Sequence, residues 1–451
     1  MEEYKMDWNR YLNKEIECSC GRKHSCDIKH VAIGVNVMES LTEYIKEKGY
    51  QHVAVVVDKN TEKAAGEMVY TVLEKGEIFF DKIRLEADEI IPDEITLGNL
   101  IADIAAETDL IIAVGSGTIN DSCRFISHKM KIDYFIVGTA PSMDGYASDV
   151  TPMLIHNLKT TYEKMGHAKA IIGDVDVLSK APMRIITAGV GDVFGKYICL
   201  TEWKLSHLIT GEYYCEFVDG IMQDALKALE TSVDGIPSRN KKAMGAIMEG
   251  LVLAGVGMSY VGNSRPASGS EHHLAHYWEM MFLQSGQEDP LHGTKVGVGT
   301  VIALLLYQYA KKILASGKAF PQPSFDEQTW KKSIKKAYGI SAPGVLSLEE
   351  SVHKNSDVAV AKRLAVLQQH REDFIKLANA LPAPEKIIAA MKKIQAPYLP
   401  KEIGVTSELL KNSIVYAKEL RNRYGILQLL FDMGELENAA DCVCKQIEQY
   451  K

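Results

Sequence analysis

The pattern of hydrophobic positions predicts a parallel sheet in the first part of the chain. Three runs are almost continuously apolar: residues 52–58, 109–117 and 133–142. Runs of this kind are typical of strands that are covered on both faces. Segments with helical periodicity, such as TEKAAGEMVYTVLEKG, separate the runs. Because strands alternate with helices, we expect an α/β domain over residues 1–180, with a short extension at its N-terminus.

From about residue 181 onward the pattern becomes helical. NKKAMGAIMEGLVLAGVGMSY and GTKVGVGTVIALLLYQYAKKIL have helical periodicity and many Gly and Ala residues, which favours closely packed buried helices. We expect an all-α domain over residues 181–451, with a C-terminal helical extension that begins at about residue 320, near the turn-rich FPQPSFDEQ. The apolar stretch at residues 296–310 is too short to span a membrane, so we interpret it as a buried helix.

The composition argues against several classes of protein. Of 451 residues, 46% are hydrophobic, and the formal net charge is −8. An ordinary share of apolar residues argues against disorder, and an acidic balance argues against binding to a nucleic-acid backbone. The N-terminal MEEYKMDWNRY lacks the apolar core of a signal peptide. We therefore expect a soluble, cytoplasmic protein.

The eight cysteines are too sparse for a disulfide scaffold and fit a reducing compartment. Potential metal ligands nevertheless cluster in CSCGRKHSC, as Cys18, Cys20, His24 and Cys26. Their spacing lacks the two ligand pairs that are usual in zinc sites. We favour a strand–turn–strand around Gly21 that carries small buried thiols, and a metal site stays as the alternative.

A glycine-containing loop follows the second apolar run, in VGSGTINDSCRF. Gly115 and Gly117 would let the backbone approach a pyrophosphate at the N-terminus of the next helix, and a simple tight turn is the alternative. Asp58 ends the first run, where a carboxylate binds a ribose diol and disfavours a 2′-phosphate, so we expect NAD rather than NADP. In GTAPSMDGYAS, after the third run, Ser142 and its neighbours Thr139 and Ser148 are candidates for the same crevice, and Asp144 for a substrate hydroxyl.

Histidines cluster in SGSEHHLAHYWEM. Positions four apart share a helix face, so His272 and His276 point together, although the pair His273–His276 is also possible. His292 follows in DPLHGTKVGVG, and Asp192 lies among glycines in AGVGDVFGKY. One carboxylate and two imidazoles would form an open divalent-metal site. A polar helix face or hydrogen-bonded core histidines are the alternative.

Taken together, these motifs resemble the superfamily of iron-containing alcohol dehydrogenases and dehydroquinate synthase-like proteins. Within it, GTAPSMDGYAS, AGVGDVFGKY, NSRPASGSEHHLAH and PLHGTKVGVGT are similar to the bacterial glycerol-1-phosphate dehydrogenases, and the likeness covers nearly the whole chain. The resemblance implies a Rossmann-like NAD-binding α/β domain, an all-α metal- and substrate-binding domain of the dehydroquinate synthase type, and an active site in the cleft between them.

The resemblance also implies a role for each candidate residue. Asp192, His272 and His292 would hold the metal, and His276 and Asp192 would be catalytic. Asp144, Asp192 and His276 would contact the substrate. The dinucleotide site would comprise Asp58, Gly115, Ser116, Gly117, Thr118, Ile119, Thr139, Ala140, Pro141, Ser142 and Ser148. Many superfamily members have Gly-Gly-Gly-Ser at the phosphate loop, whereas this chain has Gly-Ser-Gly-Thr.

The implied reaction is the interconversion of dihydroxyacetone phosphate and sn-glycerol 1-phosphate by hydride transfer with NAD(H). One divalent metal, Ni²⁺ or Zn²⁺, would polarise the ketone, and His276 would relay the proton. The resemblance implies a homodimer with a role in phospholipid metabolism. A glycerol or other polyol dehydrogenase and a dehydroquinate synthase are alternatives in the same superfamily. A non-catalytic metal or nucleotide sensor is an alternative from another class.

The substrate phosphate requires cationic donors, and two side chains near the histidines are candidates. Arg265 precedes the histidine cluster by seven residues, and Lys295 follows His292 by three. An Arg fork suits a phosphate, but it is equally common in structural ion pairs. Either residue would serve instead as a brace for its loop.

Overall fold

The computed structural model describes residues 6–87, 90–156 and 158–450. In chain order its strands are β1 (Ile16–Glu17), β2 (Lys23–His24), β3 (His30–Gly34), β4 (Val53–Asp58), β5 (Phe80–Leu85), β6 (Leu110–Gly115), β7 (Asp133–Gly138), β8 (Thr151–Ile155), β9 (Leu158–Tyr162) and β10 (Ala170–Asp174).

The helices, in chain order, are α1 (Glu39–Lys48), α2 (Lys59–Thr61), α3 (Glu67–Lys75), α4 (Glu94–Asp103), α5 (Gly117–Met130), α6 (Val175–Leu178), α7 (Met183–Thr210), α8 (Glu216–Glu230), α9 (Lys241–Val261), α10 (Ser270–Ser285), α11 (His292–Ala315), α12 (Glu327–Tyr338), α13 (Ala342–Val352), α14 (Asp357–Gln369), α15 (Arg371–Ala380), α16 (Pro384–Lys393), α17 (Ser407–Tyr416), α18 (Ile426–Asp432) and α19 (Leu436–Ile447). A π-helical stretch, Glu62–Gly66, joins α2 to α3.

Six of the strands form the parallel sheet that the apolar runs predict. Their order is β3-β10-β7-β6-β4-β5, and every neighbouring pair is parallel. The three apolar runs are the adjacent strands β4, β6 and β7, and all residues of β6 are buried. The predicted α/β fold followed by a helical part is confirmed.

The chain divides into two compact units. The first comprises the residues up to Val193 and Gly220–Ser264, and the second comprises Phe194–Asp219 and the chain from Arg265 onward. The parallel sheet and α9 thus belong to the first unit, and α10 to α19 belong to the second. The boundary expected at residue 181 separates a cofactor-binding domain from a substrate-binding domain. This division by function stays a prediction.

In the first unit, one face of the sheet packs on helices α1 and α3. Val55 and Val57 of β4 share a buried cluster with Leu41 and Ile45 of α1 and with Leu73 of α3. Burial of aliphatic side chains of this size stabilises the folded state by about 1.5–3 kcal/mol each. The packing holds the carboxyl ends of the strands in fixed positions.

In the second unit, glycines let α11 approach α10 closely. A Cβ at Gly299 would lie 2.6 Å from the backbone oxygen of Glu271, a distance that is sterically forbidden. By length and composition α9 and α11 are each apolar enough to cross a membrane, but 89% and 67% of their most apolar windows are buried inside the protein. They behave as core helices, as expected for the stretch at residues 296–310. The expected extension after residue 320 consists of α12 to α19.

Candidate active site

A cavity of the first unit lies at the carboxyl ends of β4 and β6. Its lining residues are Asp58, Asn60, Thr61, Ile90, Ser116, Thr118 and Ile119. Four of them are among the residues predicted to bind a dinucleotide. Ligands of open parallel sheets bind at this edge because the strand-to-helix loops converge there.

Asp58 ends β4 and caps the helix that follows it. Its Oδ1 accepts hydrogen bonds from the backbone amides of Asn60 (2.7 Å) and Thr61 (2.8 Å). The amide of Asp58 in turn donates to the Thr61 hydroxyl, which completes a capping box. The cap fixes the carboxyl group in the cavity wall and uses one oxygen, so Oδ2 is the oxygen suited to a ribose diol.

The glycine-containing loop joins β6 to α5 at the same cavity. A Cβ at Gly115 would lie 2.8 Å from Cβ of Ile119, so this glycine is required for the close packing of strand and helix. Ser116 is the N-cap of α5 and makes no side-chain cap. The backbone amides of Gly117 and Thr118 in the first turn are therefore oriented to donate to an anion.

The loop after β7 carries the remaining residues predicted to bind the cofactor. Thr139 is buried and donates its amide to the carbonyl of Gly115 at 3.1 Å, and Ala140 accepts from the hydroxyl of Tyr146. Ser142 contacts the same hydroxyl at 3.2 Å. The carbonyl of Pro141 packs so closely on α7 that only glycine fits at position 189.

Arg124, which the sequence motifs did not indicate, holds this loop in place. It is fully buried in α5, and its guanidinium donates to the carbonyls of Gly145 and Val150 (2.8 Å to the latter). Asp121, three residues earlier, balances its charge at 2.9 Å. Ser148, inside the segment so fixed, accepts from the amide of Val150 at 3.0 Å.

Asp144 and Asp192, both predicted to contact substrate, are connected within the first unit. The amide of Asp144 donates to Oδ2 of Asp192 at 2.9 Å. Asp192 lies on α7 and its side chain is completely buried, whereas Asp144 is partly exposed. A buried carboxylate requires compensating donors or a cation. One such donor to Asp192 is the backbone amide of Asp144.

In the second unit, three of the four candidate histidines come together. The ring centroids of His272 and His292 are 5.2 Å apart, those of His276 and His292 are 5.4 Å apart, and those of His272 and His276 are 6.1 Å apart. His273 instead faces away into the core, and burial moves its pKa well below the ordinary value. The helix-face argument therefore selects the pair His272–His276.

A carboxylate holds Nδ1 of each clustered histidine. His272 contacts Oε1 of Glu271 at 2.7 Å, His276 contacts Oε2 of Glu279 at 2.9 Å, and His292 contacts Oε1 of Glu279 at 3.0 Å. A carboxylate accepts a hydrogen bond from Nδ1–H, so the neutral imidazole keeps its lone pair on Nε2. Metal-binding histidines have this arrangement in proteins.

Glu279 is a functional candidate that the sequence reading missed. It is buried, and besides the two imidazoles it contacts Nζ of Lys295 at 3.1 Å. His276, Glu279 and His292 would themselves suit a metal by proximity. Because both Glu279 oxygens already accept hydrogen bonds, we interpret Glu279 as the group that orients the histidines. Its position three residues after His276 was the available signal.

Glu271 is the corresponding buried group beside His272. Burial raises its pKa to about 7, and its Oε1 also accepts from the amide of Gly269 at 2.8 Å. A cation bound at the neighbouring imidazole would favour the carboxylate form by its charge. The donor set therefore fits a divalent ion electrostatically as well as chemically.

The two candidate phosphate donors are both buried and already engaged. Arg265 donates to the carbonyls of Glu202 (2.7 Å) and Tyr424 (2.8 Å) and pairs with Glu212 at 3.2 Å. Lys295 pairs with Asp289 as well as Glu279. These contacts favour the bracing role for both residues, which was the alternative that the sequence left open.

Comparison with known proteins gives consistent matches. A family model described as iron-containing alcohol dehydrogenase matches residues 32–182. The chain is 31% identical over 422 residues to the glycerol-1-phosphate dehydrogenase (NAD(P)+) of Geobacillus stearothermophilus, covering 92% of this chain and 96% of that protein. It is 32% identical over 418 residues to the enzyme of that name from Halalkalibacterium halodurans, covering 92% and 95%.

Solved structures share the fold at low sequence identity. The crystal structure of glycerol dehydrogenase from Schizosaccharomyces pombe matches with a TM-score of 0.60 and 17% identity, covering 95% of this chain and 93% of that chain. At this identity the likeness supports the architecture and says nothing about the substrate.

Proposed function

Because the chain belongs to the family of glycerol-1-phosphate dehydrogenases, we propose that it interconverts dihydroxyacetone phosphate and sn-glycerol 1-phosphate with NAD(H). The observation that carries the proposal is the group of three imidazoles whose Nδ1 atoms are held by Glu271 and Glu279. Such an arrangement presents Nε2 lone pairs, which a metal-assisted oxidoreductase requires.

The proposed metal ligands are Asp192, His272 and His292, with Ni²⁺ or Zn²⁺ as the ion. Support comes from the tautomers of the two histidines and from the burial of Asp192 on α7. A carboxylate with two imidazoles suits either ion and leaves coordination positions open for a substrate.

The proposed cofactor site is the cavity at the ends of β4 and β6. Asp58 would bind the ribose diol, and the first turn of α5 would bind the pyrophosphate through the amides of Gly117 and Thr118. The loop of residues 139–148 would line the nicotinamide end. Support comes from the cap that orients Asp58 and from the first turn of α5, which the side chain of its N-cap residue Ser116 does not cap.

When bound, the metal ion supplies Lewis-acid polarisation of a carbonyl, and the dinucleotide supplies or accepts the hydride. The chain's own residues fix the substrate and move the proton. Asp144 and Asp192 would accept hydrogen bonds from substrate hydroxyls. His276, whose Nδ1–H is held by Glu279, would accept the hydroxyl proton of the alcohol at Nε2 in the oxidation, and the resulting imidazolium would return that proton to the nascent alcohol oxygen in the reduction. Imidazole titrates near neutrality, which suits a relay that works in both directions.

A polyol dehydrogenase is the second candidate function. The engagement of Arg265 with two backbone carbonyls and Glu212, and of Lys295 with Glu279, favours it, because a phosphorylated substrate then needs other donors. We further propose that the protein is a cytoplasmic homodimer, in line with its resemblance to the family.

The deciding experiment is an assay of NADH oxidation with dihydroxyacetone phosphate, before and after chelation, with metal analysis of the same sample. We expect turnover that is lost on chelation and restored by Ni²⁺ or Zn²⁺. His272→Ala and His292→Ala should lose metal and turnover, while the exposed His52→Ala should keep both. Turnover with glycerol and NAD but none with either phosphate would make it a polyol dehydrogenase. Full activity after complete metal removal would refute the mechanism.

A further inference from the structure

The N-terminal segment of the first unit folds into a small hairpin that gathers sulfur and nitrogen ligands. β1 and β2 pair antiparallel, and the turn between them passes through Gly21, whose φ of 82° is unfavourable for other residues. The amide of Cys18 donates to the carbonyl of Arg22 at 3.2 Å. The strand–turn–strand expected around Gly21 is confirmed, but Cys18 and Cys20 are only partly buried.

His24 at the end of β2 is fully buried and has a fixed orientation. Its Nδ1 lies 3.0 Å from the carbonyl oxygen of Tyr260, and its ring stacks on the Tyr260 ring at 5.3 Å. A carbonyl accepts but never donates, so Nδ1 carries the proton and Nε2 keeps the lone pair in the neutral ring. Nε2 faces the sulfur of Cys20 at 3.4 Å.

We propose that Cys18, Cys20 and His24 form a second metal site, which binds Zn²⁺ through two thiolates and Nε2. The ligand atoms of the three residues lie within 4.8 Å of one another. From the Zn–S and Zn–N bond lengths, a tetrahedral ion separates sulfur and nitrogen ligands by roughly 3.5 Å. The observed 3.4 Å between Cys20 and His24 matches this separation without rearrangement.

The chemistry of the ligands selects a soft or borderline ion. Two thiols and one imidazole favour Zn²⁺ over hard cations such as Mg²⁺. The carbonyl that holds Nδ1 of His24 is the outer partner that metal-binding histidines have. Binding would release the thiol protons of Cys18 and Cys20, so the affinity should fall at acidic pH.

Cys26, from the same motif, does not belong to the site. It is buried, and its sulfur lies 4.0 Å from the carbonyl of Tyr11. It is not in the group of ligand atoms that lie within 4.8 Å of one another at Cys18, Cys20 and His24. The metal alternative for the motif is thus restricted to three of its four candidates.

The ion would fasten the N-terminal segment to α9. Tyr260 on α9 accepts from His24 through its carbonyl and donates its hydroxyl to the carbonyl of Tyr11. A metal ion bound by Cys18, Cys20 and His24 would stabilise the segment that makes these two contacts with Tyr260. The role is structural, and it is independent of the proposed dehydrogenase activity.

The test compares the zinc content of the purified wild-type chain with that of Cys20→Ser, after both are loaded with Zn²⁺ and desalted. The exposed Cys442→Ser is the matched control. We expect Cys20→Ser to hold one equivalent less than the wild type, and Cys442→Ser to hold the full amount. Repeating the comparison in a His272→Ala background separates this equivalent from any ion at the proposed active site.

Equal zinc content in folded wild-type and Cys20→Ser proteins would overturn the proposal, and it would leave the dehydrogenase assay unaffected. If Cys20→Ser does not fold, a Co²⁺ titration of the metal-free wild type decides. A thiolate-to-cobalt charge-transfer band that saturates at one equivalent supports the site. Absence of that band refutes the site, and so does a disulfide between Cys18 and Cys20 that persists in reducing buffer.

Discussion

The four histidines of the two proposed metal sites share one arrangement of hydrogen bonds, which His207 and His370 also have. In His24, His272, His276 and His292, Nδ1 faces a carbonyl or a carboxylate at 2.7–3.0 Å. That acceptor fixes the tautomer and places the lone pair of the neutral ring on Nε2. His273, next to His272 in sequence, is buried in the core instead, and it has no place in either proposed metal site. An acceptor at Nδ1 separates these four from the core residue His273, but the exposed His207 has one as well, so the active-site assignment also requires the clustering of the three rings.

Glu279 is the residue on which this argument depends most. Glu279→Gln keeps the size of the side chain but replaces one acceptor oxygen with a donor, which opposes Nδ1–H of His276 or His292. We expect metal affinity to fall about 10- to 100-fold, as for other changes to outer partners of metal ligands. Competition with a chelator measures the affinity, and the pH profile of kcat reports on His276.

Glu372→Gln, an exposed change on α15, is the control and should behave as wild type. Wild-type metal affinity and an unchanged pH profile in Glu279→Gln would show that this carboxylate does not orient the histidines.

At the scale of elements, the three strands that the sequence predicted are nearly completely buried, whereas β10 is also buried but was not predicted, because its apolar run is only three residues long. β4, β6 and β7 are nearly uniform in apolar residues, so their pattern needs no partner to be recognised. β5, at the sheet edge, has the sequence FDKIRL and exposes alternate residues, and β3 at the other edge alternates similarly. Edge strands have a weaker hydrophobic pattern, because their solvent-exposed positions tolerate polar residues.

The same limit applies to the candidate site. The histidine spacing predicted the cluster on α10, because residues four apart share a face within one helix. Arg124 acts through a contact with Val150, which is distant in sequence. Glu279 lies three residues after His276, and that spacing is too common in helices to mark the residue as functional. The engagement of Arg265 by two backbone carbonyls likewise depends on tertiary structure. Such contacts leave no local pattern in the chain.

Asp58 lies at the end of β4, where it caps α2 and lines the proposed cofactor cavity. A single substitution separates these two roles. Asp58→Asn retains an oxygen for the amides of Asn60 and Thr61 but removes the negative charge from the cavity. We expect the preference for NADH over NADPH, measured as the ratio of kcat/KM values, to fall about tenfold, which corresponds to about 1.4 kcal/mol.

Asp93 is the matched control because its side chain caps α4 in the same way, through the amide of Thr96 at 2.9 Å. It is not among the residues that line the cavity. Asp93→Asn should leave the coenzyme ratio unchanged. An unchanged ratio in Asp58→Asn as well would remove Asp58 from the cofactor site and leave it only the capping role.

At the largest scale, a buried polar network connects the helices of the C-terminal extension. Its centre is Glu419, which contacts Nζ of Lys418 and of Lys354 (3.3 Å to the latter) and accepts from Trp330 (3.1 Å) and Asn355 (3.0 Å). Burial by itself raises the pKa of Glu419, but the two ammonium groups outweigh it and hold the pKa at about 2. Burial lowers the pKa of Lys354 to about 8, the neighbouring Lys418 ammonium acts in the same direction, and Glu419 opposes both.

The depressed pKa of Glu419 sets the direction of a pH dependence. The unfolded chain protonates this group near pH 4.3 and the folded chain near pH 2, so its contribution to stability is complete above about pH 5 and disappears as pH falls toward 2. The shift corresponds to about 3 kcal/mol. Glu419→Gln should therefore destabilise the protein by about 3–5 kcal/mol at pH 7, since two buried ammonium groups lose their carboxylate.

Midpoints of urea unfolding between pH 7 and pH 3, followed by fluorescence, test this expectation. The gap between wild type and Glu419→Gln should be constant from pH 7 to 5 and narrow below pH 4.5. Glu327→Gln, which breaks the exposed pair with Lys331 on α12, should leave the midpoint close to that of the wild type at every pH, because solvent screens exposed pairs. If the gap at pH 7 is as small as in that control, then the buried network does not hold the C-terminal helices together. Packing of residues such as Phe374 and Leu367 would then stabilise the extension alone.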